Sequence, residues 1–126
     1  MRPWKNTEAR QHLAEHRARA DEAPRLGIEV PSLQTLRLAL SESRAGLEIP
    51  GTSYAKLFVV HSAPAYFYVP CGDPRCKDGG HDITENVMAA LRRSASYLEG
   101  TDSCLGQIGF SECARELRFI VTAVFA

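Results

Sequence analysis

The chain has 126 residues, 44% hydrophobic and 24% charged, and its 15 basic and 15 acidic side chains cancel to a formal charge of zero. That length fits one domain able to bury about 65% of its unfolded surface. The charge balance removes the electrostatic case for nucleic acid or an anionic membrane as the main partner, and no apolar run approaches the roughly 18–20 residues of a membrane span.

The N-terminus carries no apolar h-region, so no secretory signal is expected and a cytoplasmic setting follows. Residues 1–26 read as a polar helical arm, capped at Asn6 or Thr7 and ending before Pro24. Its apolar content is thin, so the arm is expected to be solvated; the alternative is a helix that docks on a partner through Trp4 and Leu13. Residues 27–126 are expected to form a single α+β domain.

Within that domain, Ser32 to Ser43 alternates Leu36, Leu38 and Leu40 with Thr35, Arg37 and Ala39, the pattern of a half-buried strand. Glu42 to Gly51 reads as a connection ending in the turn dipeptide Pro50-Gly51. The continuous apolar run from Tyr54 to Val60 predicts a strand buried on both faces, stopped by a turn at His61 to Pro64. Ala65 to Val69 predicts a third strand, with Phe67 and Val69 on one face and Tyr66 and Tyr68 on the other. A helix is predicted from Asp82 to about Ser96, with Asp82 and Glu85 as a capping box and Gly100 as its stop. Ile83, Val87, Ala90, Leu91 and Leu98 make its apolar stripe. The last segment, Leu117 to Phe125, is β-branched and apolar on both faces, and predicts a strand in the middle of the sheet. The expected fold is therefore α+β, a mostly antiparallel sheet of about four strands with one main helix on one face.

The four cysteines carry the chemistry. Cys71 and Cys76 sit in a knuckle rich in Gly, Pro and Asp that runs straight into the predicted helix, and Cys104 and Cys113 flank a second loop. In a reducing setting, cysteines clustered in polar, glycine-containing loops point to metal ligation before disulfides. A structural zinc ion takes four thiolates in a tetrahedron, and a short loop delivers two of them together. Gly72, Gly79 and Gly80 supply the bends and let backbone N–H groups approach the sulfurs. Cys71, Cys76, Cys104 and Cys113 are the predicted ligands; His81 is the substitute, joining Cys71 and Cys76 with either Cys113 or Cys104 completing the set, and is otherwise a loop histidine in water. One pairing scheme brings the set together: a strand ending at Val69 lying antiparallel to one beginning near Arg115 would put Cys71 and Cys113 at one end of the sheet. Cys104 is the difficult member, because the helix carries the chain away and an extended return from Ala95 must bring it back.

Catalytic patterns fail on spacing. Pro70-Cys71 is followed by four residues before Cys76, and His61-Ser62-Ala63 lacks the glutamate of the nucleobase deaminases. Asp73, Asp78 and Asp82 do not fit a calcium loop. The expected function is a non-catalytic protein-interaction or adaptor module with structural zinc and a protein partner. The first alternative is a nucleic-acid-binding regulator using Tyr66, Phe67 and Tyr68 with Arg92, Arg93, Arg115 and Arg118, and the second is a metalloenzyme with an open zinc position.

Overall fold

A computed structural model describes residues 3–126, and their side chains from His12 onward. Helix α1 (Pro3–Glu22) leads to a single-turn helix α2 (Leu26–Glu29) and then to the long strand β1 (Leu33–Arg44). Strands β2 (Leu47–Glu48) and β3 (Tyr54–Phe58) follow, then the two-residue strands β4 (Tyr68–Val69) and β5 (His81–Asp82). Helix α3 (Thr84–Arg92) precedes β6 (Tyr97–Ser103), the short ribbon β7 (Gln107–Ile108) and β8 (Ser111–Glu112), and the closing strand β9 (Arg115–Phe125). The fold is mixed helix and sheet, and the strand pairs are antiparallel.

The main sheet has five strands in the order β2-β1-β9-β6, with β3 also against β1, so β9 is central as its composition predicts. Leu36, Leu38 and Leu40 lie opposite Ala123, Val121 and Phe119, and all six are buried on one face. Period-2 alternation dictates this: one register puts every leucine inward, and a one-residue slip would turn them all to water. The inner face is closed by Val87, Met88, Ala90 and Leu91 of α3 and by Leu26, Phe67 and Ile83. Phe67 and Val69 are buried and Tyr66 and Tyr68 half-buried, matching the expected division of faces.

Several expectations are corrected. The segment read as a connection contains a hairpin: Ala45 (φ 52) and Gly46 (φ 80) make a two-residue turn between β1 and β2. Both residues are left-handed, as a type I′ turn requires, but Ala stands where Asn or Asp is the usual signal. Strand β3 is not buried on both faces; it is an edge strand paired only with β1, and Leu57 is 74% exposed. Only Tyr68–Val69 of the predicted third strand pairs, and it pairs with β5 in a separate ribbon rather than in the main sheet. Helix α3 stops at Arg92 rather than Ser96. Ser94 adopts φ 57, its N–H donates to Leu91 O, and Ala95 N–H donates to Ala90 O, the two bonds of a Schellman stop. Gly100 is then no helix stop: it sits in β6 opposite Phe119, where a Cβ would lie 2.6 Å from the Phe119 ring. The apolar Leu98 belongs to that strand, not to the helix stripe. The capping box does not form; Ile83 occupies the N-cap, and the Asp82 carboxylate accepts the Thr84 N–H at 3.1 Å. Strand β9 is central and buried on its inner face, with its outer side only partly covered.

Helix α1 ends at Glu22, before Pro24 as expected, and already runs through residues 6 and 7. The side chains of Trp4, Asn6 and Thr7 lie outside the described residues. The arm is not solvated throughout: His16 stacks on Tyr68 at 3.5 Å between ring centroids, and its Nδ1 meets the Tyr66 hydroxyl. His12 Nε2 lies 2.9 Å from both the Tyr68 hydroxyl and Gly79 O. Histidines four apart share one helix face, so this pair covers the polar side of Tyr66-Phe67-Tyr68 while Leu13 stays exposed.

Candidate metal centre

The inner face of β1 continues past Leu40 to Glu42, which is only 7% exposed. Its carboxylate accepts the Gly72 N–H and the Arg115 guanidinium, each at 3.0 Å. One buried acid thus ties the knuckle after β4 to the start of β9. A Cβ on Gly72 would sit 2.1 Å from Glu42 Oε1, so the knuckle reaches this anchor only as glycine. Beyond it, the Asp73 carboxylate accepts the Arg75 N–H at 3.0 Å and pairs with the Arg75 guanidinium, which holds its pKa down at about 2. Cys76 N–H donates to Asp73 O at 3.0 Å and closes the turn.

The second loop is built on the β7–β8 ribbon and is fastened at both ends. Cys104 N–H donates to Arg115 O at 2.9 Å, and Cys113 N–H donates to Gly106 O at 2.8 Å. Lys77 and Gln107 exchange backbone hydrogen bonds of 2.8 and 3.0 Å, joining the two loops directly.

These contacts bring the Sγ atoms of Cys71, Cys76, Cys104 and Cys113 within 4.8 Å of one another. Cys71 lies 3.8 Å from Cys113 and Cys76 lies 3.6 Å from Cys104, so each close pair spans the two loops. A disulfide needs about 2.05 Å. A tetrahedral ion with bonds of about 2.3 Å to sulfur needs its sulfurs about 3.8 Å apart. The donor set therefore fits a single thiolate-loving cation. The glycines fit it as well: a Cβ on Gly79 would lie 2.4 Å from Cys76 Sγ and 2.5 Å from Cys104 Sγ, and one on Gly106 would lie 2.3 Å from Cys76 Sγ. Backbone is packed against sulfur on two sides, and no side chain has room there.

The electrostatics separate the four thiols. Burial opposes ionisation of Cys104, but the Gly80 and Gly106 N–H groups and the neighbouring thiols outweigh it and lower the pKa. The Gly80 N–H lies 3.4 Å from that sulfur. Burial dominates at Cys71, which is pushed up to about 12, and at Cys76, which is also raised. Without an ion the cluster resists carrying several thiolates at once. A divalent cation bound there would supply the missing positive charge and displace the protons.

His81 is not one of the converging groups. Its ring is fully buried, Nδ1 lies 2.9 Å from Asp102 Oδ2, and Nε2 sits 4.0 Å from Glu42 Oε2 without a hydrogen-bond partner. It is neither the substitute ligand nor a loop histidine in water. The register of β5 against β4 turns it inward from the edge of the cysteine loops. The pairing scheme that placed Cys71 near Cys113 also differs, since β4 joins β5 and not β9; Glu42 and Arg115 make the connection instead. Cys104 returns through β6, whose antiparallel run beside β9 covers the distance that seemed hardest to span. Sequence reasoning missed Glu42, Asp102 and Gly106, and gave Arg115 a role only as a phosphate contact, not as the partner of Glu42. The readable signal was Glu42, an acid at the next inward position of a leucine-alternating strand.

No protein-family model matches the chain, and no curated protein and no solved structure matches it. Among the described residues, no helix is long and apolar enough to cross a membrane.

Proposed function

We propose that this protein is a non-catalytic interaction module whose four cysteines hold one structural zinc ion. The observation that carries the reading is the convergence of four sulfurs within 4.8 Å across two otherwise separate loops. With Cys71, Cys76, Cys104 and Cys113 all bound, a four-coordinate ion has no position left for water or substrate, which is the arrangement of structural rather than catalytic sites. Glycine backbone at Gly79 and Gly106 crowds the sulfurs further and argues against a fifth ligand. Thiol ligands kept free for metal also suit a reducing, cytoplasmic setting.

The ion's work is mechanical. It joins the knuckle before α3 to the loop before β9, at the end of the sheet where Glu42 already bonds both. The nucleic-acid alternative has less support: His16 lies on the Tyr68 ring, and the Tyr66 and Tyr68 hydroxyls already have partners. Metal content of the purified chain, by mass spectrometry under native and denaturing conditions, tests the reading. One zinc ion per chain is expected natively and none after denaturation. A metal-free chain with two oxidised cysteine pairs would overturn it.

A further inference from the structure

Helix α1 and the edge strand β3 border an open groove of about 610 Å³. Leu13 and Arg17 stand on the helix side and Lys56, Phe58 and Val59 on the strand side, and Pro64 also lines it. Three features of this groove point the same way. First, β3 pairs with β1 on one long side only, so its other backbone edge is unclaimed by any strand among the described residues. Second, the walls are apolar and open, with Leu13 39% and Val59 60% exposed. Third, the lining includes the cations Arg17 and Lys56 and no carboxylate, and neither cation makes an ion pair among the described residues. The described neighbour of the Lys56 ammonium is the Phe58 ring, 5.1 Å away.

We propose that this groove binds an extended acidic peptide, added as a strand to β3 with its apolar side chains against Leu13, Phe58 and Val59 and its carboxylates at Arg17 and Lys56. Strand addition draws affinity from backbone hydrogen bonds along an open edge and specificity from alternate side chains. A lysine in the middle of an edge strand also repels indiscriminate pairing, because a neutral strand would cover its charge without compensation. A partner that carries acid at that position removes the penalty, so the same residue filters for sign. A single-stranded nucleic acid would share the negative charge but not the use of the strand edge. It would also want free aromatic faces, whereas His16 lies against the Tyr68 ring and its Nδ1 engages the Tyr66 hydroxyl.

The proposal rests on the reading of the protein as an interaction module and names its partner. Amide-resolved NMR of the full chain as purified, with its metal content weighed in parallel, tests it. The probe is a synthetic heptapeptide of alternating Glu and Val; the counter-probes are its Lys–Val analogue and a short oligouridylate. The Glu–Val peptide is expected to shift amides of Tyr54 to Val59 and of Leu13 to Arg17, and to bind about tenfold more tightly than the Lys–Val peptide. The double variant R17E/K56E, changed only at exposed positions, is expected to reverse that preference with its remaining spectrum intact. No perturbation by the Glu–Val peptide, equal binding of both peptides, or shifts on another surface would overturn the proposal. Oligouridylate acting on the same amides with higher affinity would overturn it in favour of nucleic acid. Peptide binding by a metal-free chain would sink the zinc reading alone, and a zinc-loaded chain that ignores the peptide would sink the groove alone.

Discussion

The two ends of the main sheet are stabilised by different physics. Toward α2 and the C-terminus, Leu36, Leu38, Val121 and Ala123 are buried under α3 and α2, and each large side chain there contributes about 1.5–3 kcal/mol by leaving water. Beyond the main sheet, the cysteine loops carry only separate two-residue ribbons, and Leu105 and Phe110 are almost fully exposed. Beside the buried Leu117 and Val69, this end also buries polar groups and sulfur: Glu42, Asp73, His81, Cys104 and Cys113. The apolar end spreads its stability over many contacts and tolerates the loss of any one. The cysteine end rests on fewer contacts, among them the Glu42 bonds to Gly72 and Arg115.

Taking away a ligand breaks that contrast most sharply. Cys113→Ser is expected to release the ion and forfeit metal-linked stability on the order of 10 kcal/mol, read as a large fall in Tm together with zinc loss by native mass spectrometry. A variant that kept both its ion and its Tm would end the zinc reading. Phe119→Ala, on the buried apolar face between the two ends, is expected to cost about 3–5 kcal/mol in denaturant unfolding while one ion stays bound. Loss of the metal from that variant would show the two ends to be one cooperative unit.

Glu42→Ala probes the seam between them. It leaves Arg115 and the Gly72 N–H without their acceptor, and a cost of about 3 kcal/mol is expected, with weakened metal binding. Unchanged metal affinity, measured by chelator competition, would mean that the knuckle does not depend on β1. Gly79→Ala is the narrower test: its methyl would meet two sulfurs, so an affinity loss of about 10- to 100-fold is expected with the sheet unfolding as before.

The smallest expected effect is acid sensitivity of the knuckle. The Asp73 pKa is depressed to about 2 by hydrogen bonding to Arg75, so its contribution is full above the ordinary carboxylate value of 3.8 and is lost as pH falls from there toward 2. Metal loss should precede it, because protons compete for Cys71, whose pKa is raised. In an acid titration, zinc release is expected at higher pH than any change traceable to Asp73→Asn. The reverse order would show that the knuckle opens before the cluster is protonated.

Much of the fold was legible where periodicity and burial coincide. The leucine alternation of β1, the buried stripe from Ile83 to Leu91 and the apolar β9 each encode their own inward face. Legibility failed where a neighbour decides. Tyr54 to Phe58 has the composition of a buried strand but no second partner, so it lies at an edge. Tyr97 to Ser103, with a glycine and an aspartate, has little strand propensity, yet it pairs along β9, where Gly100 leaves room for the Phe119 ring. Ser94 ends α3 in a conformation usually left to glycine, which no residue type announced.

The sequence by itself determined that four cysteines lie in two glycine-containing loops flanking one helix and one strand, and that thiols so placed suit a soft metal. Only the tertiary structure decided that they meet, since β6 must return the chain beside β9 and Glu42 must hold Gly72 to Arg115 before the sulfurs can converge. It also decided the place of His81, adjacent in sequence to the knuckle but turned by β5 into the interior beside Asp102. Spacing along a chain limits which side chains can share a site; strand register and buried charge choose among them.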